Sequence, residues 1–387
     1  MKKQRVVFFA ILVYLAALHV ANAASIMKSV ALPPAEGAIV GAAFSPDSGR
    51  LAVIRHLVVP ATSGHRLIIQ IVDLKSRQEL AHADVLKDEA AELASSTHYI
   101  AYSADGRHLL LATKGSDLLS ILDAGDLQTE KRIALRPEAD SRTRLEGGPR
   151  YFKGVVSLAV ASKVGTFGVV THDVLQGNEV FVGSFALGQI IRSWSLGRGR
   201  VATQLGQISL SLSGDGSRMA VSTLPEGNRL PKDFNNLRLY NTGNGEMVKS
   251  VRTDGLVGQI MLLPGEKLIA SRIDAPGFFS RKACIEEWSF KNGALGSQFC
   301  DQGRNVSVAL GASLATSRVV GFASHMHKSI EGQVYAASGR VDVWDMTSGS
   351  LVATSSEIPR LVSFLQVSKN GEWIMAGQTL FQLSPAP

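Results

Sequence analysis

Cysteine is nearly absent from this chain: two in 387 residues. A multi-disulfide scaffold and a Cys-rich metal domain are thereby excluded. No Cys-X-X-Cys-His segment offers haem attachment, no Gly-X-Ser-X-Gly elbow or His-Glu-X-X-His helix is present, and no Gly-Lys-Ser/Thr loop is there to cradle phosphate. Four Trp are too few for the repeated Trp docking of a quinone-cofactor propeller. Nothing in the sequence calls for a cofactor. Sustained helical periodicity is also scarce, and outside the N-terminus no apolar run reaches spanning length without charges or turn residues.

A strong excess of either charge is lacking as well. The formal balance is +7, and residues 1–23 hold three positive charges (Lys2, Lys3, Arg5) and no negative one, so their removal leaves +4. That excess is too small and too dispersed to argue nucleic-acid binding. The same segment has an apolar run from Val6 to Leu18 and small residues at Ala21-Asn22-Ala23. A cationic start, a short apolar core and small residues at the cut describe a secretory signal over 1–23. The alternative is an uncleaved anchor. No Cys lies near the cut to carry a lipid. Export implies a periplasmic or secreted protein with no stable membrane span after cleavage.

What is present is a repeat. Short apolar strands alternate with tight turns such as Ser45-Pro46-Asp47-Ser48-Gly49-Arg50, Ser103-Ala104-Asp105-Gly106-Arg107, Ser213-Gly214-Asp215-Gly216-Ser217-Arg218 and Ser368-Lys369-Asn370-Gly371-Glu372. Each unit of roughly 50 residues carries four strands, which cannot bury their own faces and must stack around an axis. The expectation is an all-β, seven-bladed propeller over 24–387 as a single domain, with six or eight blades as alternatives. The last copy has only three strands, Leu361–Val367, Trp373–Ala376 and Thr379–Leu383, while the apolar stretch Ile26–Leu32 belongs to no blade. Pairing that stretch with the C-terminal blade would close the ring and leave no free edge there.

The hairpins Val341-Asp342-Val343-Trp344-Asp345-Met346-Thr347-Ser348-Gly349 and Leu237-Arg238-Leu239-Tyr240-Asn241-Thr242-Gly243, with the Phe44-Ser45-Pro46-Asp47 turn, resemble the WD40 and YVTN-like propeller superfamily. The chain departs from strict WD40 repeats in lacking the opening Gly-His pair and in having one true Trp-Asp, Trp344-Asp345. The resemblance is to divergent bacterial exported propellers, and it implies a fold without a single activity. Asp73, Asp123, Asn241 and Asp345 have a local reason: a short acceptor fixes the turn that follows.

In the hairpin Lys282–Asp301, a tight loop at Lys291-Asn292-Gly293 makes Phe290 face Ala294. Cys284 then faces Cys300 across the ladder, within reach of a disulfide; two free thiols are the alternative.

Extra length concentrates between second and third strands (55–66, 172–178, 224–235, 273–282 and 324–339) and in the blade connections 84–97 and 136–151. Both kinds of segment emerge on one face of a propeller, where rigidly held loops bind. That face would carry Arg136, Arg142, Arg144, Arg150, Arg198, Arg200, Arg304 and Arg360 from the connections. The insertions add Arg229, Lys232, Arg272, Arg281 and Lys282 beside Phe234, Phe278 and Phe279. Guanidinium forks suit a carboxylate, a phosphate or an acidic protein surface, and Phe278 and Phe279 suit an apolar anchor. Loop drift and solvated arginines are the plain alternatives. His325-Met326-His327 is compatible with copper, with His56, His65 and His172 in loops of the same face; two ligands do not make a site, and a surface loop without metal is the alternative. No residue is singled out as catalytic. The functional expectation is a non-catalytic module binding a protein partner or anionic ligand. The alternative is a lactonase or metal-assisted hydrolase using Asp173, Asp233 or Asp274 in the axial funnel.

Overall fold

The computed structural model describes residues 26–384, apart from 60–63, 88–97, 113–116, 136–153, 174–176, 198–207, 225–233, 254, 274–282, 302–305, 329–333, 360–361 and 363. Its strands form seven antiparallel four-stranded sheets, and no helix is long and apolar enough among the described residues to cross a membrane. Blades one to six occupy 38–87, 99–134, 154–197, 210–251, 256–301 and 306–354. Blade seven takes Leu365–Val367, Trp373–Ala376 and Thr379–Ser384, and its outermost strand is Ile26–Val30. Met27 pairs with Leu383 and Val30 with Leu380, so the expected seam between the two ends of the sequence is present.

First strands of successive blades touch one another all the way round, blade seven meeting blade one. They therefore line the axis. Second and third strands are sandwiched between neighbouring blades, which explains unbroken buried runs such as Leu109–Ala112, Met219–Ser222 and Trp373–Ala376. Fourth strands form the rim and expose most of their residues, as in Thr129–Ala134.

Two kinds of turn recur on the face opposite the expected binding face. Between first and second strands, Ser45 Oγ accepts the Arg50 N–H (2.9 Å) and donates to Asp47, whose carboxylate takes the Gly49 N–H (3.0 Å). The same interlock is built by Ser103 with Asp105, Ser213 with Asp215 and Ser368 with Asn370. Hydrogen bonds from the serine hydroxyl and the Gly49 N–H hold the Asp47 carboxyl below its ordinary value. Those from the Ser213 hydroxyl, the Ser217 N–H and the Ser217 hydroxyl hold Asp215 at about 2.

Between third and fourth strands, the N–H of residue i+4 returns to the carbonyl of residue i in all six such hairpins: 73/77, 123/127, 184/188, 241/245, 289/293 and 345/349. The returning residue has positive φ each time. Four of these are Gly, whereas Arg77 (φ 60°) and Leu127 (φ 61°) hold a conformation that L-residues resist. A bulge follows in each ladder. Asp73, Asp123, Asn241 and Asp345 accept backbone N–H groups here, as their spacing implies.

Blade five shows what the bulge does to register. Ser289, not Phe290, faces Ala294, one residue off the expected pairing near the loop. The bulge between Glu286 and Trp288 shifts the ladder back, so Cys284 does pair with Cys300. The two form a disulfide with Cα atoms 4.2 Å apart.

The first strands also have an unpaired edge facing the axis, and side chains from the preceding blade satisfy part of it. Ser157, Ser209, Ser211 and Gln259 accept the N–H groups of Leu210, Ile260, Leu262 and Leu310. At the seam, Gln378 both accepts from Ile39 N (2.8 Å) and donates to Ile39 O (2.6 Å), imitating a strand.

Candidate functional site

The face of interest carries the hairpins between second and third strands and the links between blades. Sequence reasoning treats 55–66 and 324–339 as inserted loops; the structure continues the ladder through them instead. In blade one, Arg50–Val59 and Gly64–Asp73 stay paired to Val59 and Gly64. In blade six, Arg318–Lys328 and Val334–Asp345 stay paired to Lys328 and Val334. Alternating and β-branched residues such as Val58 and Val59 prolong the strands, and the ladder satisfies backbone groups that a loop would leave to water. Blade three does the same on a smaller scale, with Asp173 opposite Gly177. Blade seven does not: its second strand ends at Ala376, which pairs with Thr379 across Gly377-Gln378. Two strand-built arms therefore extend from the blades on either side of blade seven.

The base of the blade-one arm is held by a polar chain. Arg55, 7% exposed, donates from Nε to Gln70 Oε1 (3.1 Å) and from Nη1 to the carbonyls of Ala35 and Gly37. Gln70 donates to Glu79, and the other Glu79 oxygen meets His82 Nδ1 at 2.6 Å. The Gln70 amide is the main reason the Glu79 carboxyl lies below its ordinary value. On the same arm, His56 Nε2 lies 2.8 Å from His65 Nδ1, the rings meeting edge to edge with centres 5.1 Å apart and planes inclined by 20°. Burial, then the neighbouring His65, lowers the pKa of His56. Sequence spacing places both histidines on this face without showing that they touch.

Blade five holds the buried charge. Glu286 has no exposed side-chain surface; it meets Arg272 Nε at 2.7 Å and accepts from Gln298 (2.7 Å) and the Trp288 indole (3.0 Å). Arg272 is paired in register with Cys284, so this ion pair and the disulfide share one end of the blade. The guanidinium proposed from sequence for ligand capture is engaged internally, with 13% of its side chain exposed. In blade four, Arg238 lies 5.6 Å from the Phe234 ring centre and donates to Leu196 O, tying blade four to blade three.

Arg136, Arg150, Arg198, Arg200, Arg281, Arg304, Arg360, Phe278, Phe279, Asp233 and Asp274 lie outside the described residues. His325 and His327 are on the extended second strand of blade six. Asp173 is buried at the end of its strand, next to His172, whose Nδ1 is 2.8 Å from Asn178 Oδ1. Among the described residues, no three His, Cys, Asp or Glu side chains converge as a metal cluster would require. What the described surface offers is two strand-built arms and hydrogen-bonding groups.

No protein-family model matches the chain, and no curated protein matches it in sequence. Among solved structures, that of U3-55K superposes with a TM-score of 0.60 at 13% identity, over 92% of this chain and 98% of that one. The chain shares its seven-bladed propeller fold with solved structures. With 1187 solved chains matching, the likeness describes architecture and carries no activity.

Proposed function

We propose that the chain is an exported, non-catalytic propeller that binds a protein partner or an anionic ligand on the face bearing the two arms. The observation that carries this reading is the pair of strand-built arms flanking blade seven. Paired strands hold their backbone better than open loops do, so arms built of them lose little ordering entropy on association. Val58, 59% exposed on the blade-one arm, is an apolar contact that the fold itself does not use. The arginines of the blade connections would add groups suited to carboxylate or phosphate to the same face. Export is supported by the signal-like segment 1–23 and by the Cys284–Cys300 disulfide, which an oxidising compartment maintains.

The test is affinity capture from periplasmic extract with the parent chain, with Val58→Asp and with Arg198, Arg200, Arg304 and Arg360 changed to Glu. A control changes Met247, exposed on the outermost strand of blade four, to Asp. Partners lost with both face variants and kept with the control support the reading. An identical captured set from all four proteins refutes it.

A further inference from the structure

We propose that His56 and His65 form a two-imidazole site for a cupric ion on the blade-one arm. In the register of this arm, His56 pairs with Leu67 and His65 with Val58. Paired residues share a face and alternate residues return to it, so His56, Val58 and His65 lie on one side of the hairpin. The two rings meet on the diagonal. Their facing nitrogens, Nε2 of His56 and Nδ1 of His65, are 2.8 Å apart, and both rings are half-buried rather than sealed. An ion has access from solvent, and the ladder below holds the two residues on adjacent strands.

The 2.8 Å separation is that of a head-on N–H···N hydrogen bond, and both rings must turn to aim their lone pairs at one ion. A cis square-planar cupric centre with bonds of about 2.0 Å brings two nitrogens to about 2.8 Å, whereas tetrahedral zinc needs about 3.3 Å. Among divalent first-row ions copper also binds nitrogen ligands most tightly.

The proton balance is simple. With no metal, one facing nitrogen donates its N–H to the lone pair of the other. When the ion binds, the donating ring shifts that proton to its outer nitrogen through solvent, and both rings turn so that the two freed lone pairs converge on the ion. Two waters complete the plane. No net proton is lost when both rings start neutral, and no oxidant or reductant is needed.

The experiment uses the full exported chain without a histidine tag, titrated with Cu(II) alone and followed by calorimetry and pulsed electron paramagnetic resonance. The expected result is one ion with two equatorial imidazole nitrogens, and binding weakened about tenfold or more by His56→Gln or His65→Gln, each leaving one imidazole. Zn(II) should bind more weakly than Cu(II). His325→Gln with His327→Gln should keep the two-imidazole signal. Absence of copper binding, a two-imidazole signal that survives His56→Gln, or its loss in the 325/327 variant would overturn the assignment. Melting temperatures of the variants, expected within about 1 °C of the parent, show that any loss is local.

Discussion

Replacing Arg272 by alanine separates a core role from a recognition role. Glu286 is fully enclosed, and Arg272 is the cation that meets it, at 2.7 Å. Removing one partner of a buried pair strands the other, at a cost of about 3–5 kcal/mol. Unfolding entropy is about 2.1 cal/mol/K per residue, so a chain of 387 residues changes by about 0.8 kcal/mol for each degree near its midpoint. Arg272→Ala should therefore lower the melting temperature by about 4–6 °C in non-reducing calorimetry. Glu286→Gln should cost less, because the amide still accepts from the guanidinium and Arg272 retains some solvent contact. Arg272→Met combined with Glu286→Leu should recover much of the loss, since an apolar pair leaves no stranded charge. If Arg272→Ala melts within about 1 °C of the parent, the ion pair contributes nothing to the core and the reasoning fails.

Left-handed backbone gives a contrast between two sites. Arg77→Gly should stabilise by about 0.5–1 kcal/mol, because Arg77 is exposed and only its φ of 60° opposes folding. Leu127→Gly should instead destabilise, since Leu127 has the same φ but is 3% exposed within the core between blades one and two. Urea midpoints for the pair decide the matter, and matching shifts would show that backbone strain is not the governing quantity. At Gly183, a methyl group would run into the buried ring of Phe167, so Gly183→Ala should lose about 1–3 kcal/mol in the same assay. A parent-like midpoint would mean that the ring has room to move. Acid provides a fourth test. Asp215, held at about 2 against an ordinary 3.8, favours the folded state above pH 3.8, and that contribution disappears as pH falls through 2. Asp47 and Asp105 are shifted in the same direction. Denaturant midpoints measured from pH 5 to pH 2 should fall, and less steeply in Ser213→Ala; a flat profile would contradict the shifts.

The blade rhythm is legible in the chain because turn chemistry is local. A serine, an aspartate two residues later and a residue able to adopt positive φ suffice to mark where a first strand ends. The Cys284–Cys300 pairing is readable for a less secure reason: the loop register is off by one, and the bulge shifts it back. Sequence alone does not show where a ladder continues, because His56 to His65 contains turn residues and strand residues in equal measure. Nor does it reveal the Arg272–Glu286 pair, which depends on which face each strand turns toward its neighbour. Serines on or just before the first strands look like ordinary polar residues until adjacent blades bring Ser209 and Ser211 to the N–H groups of Ile260 and Leu262. The strongest candidate residues from composition, the arginines of the blade connections, lie where local pattern carries no register at all.

The pairing of Ile26 with Ser384 sets an order of assembly. Six blades are contiguous in sequence and can zip from neighbouring hairpins, whereas the seventh waits for segments about as far apart as the chain allows. Contacts of such long separation are slow to form. In a polypeptide delivered amino end first, residues 26–30 emerge early and stay unmated until residues 379–384 arrive. That interval exposes an apolar edge to other chains, so the last event of folding is also the one most open to capture by a chaperone or by a second molecule of the same kind.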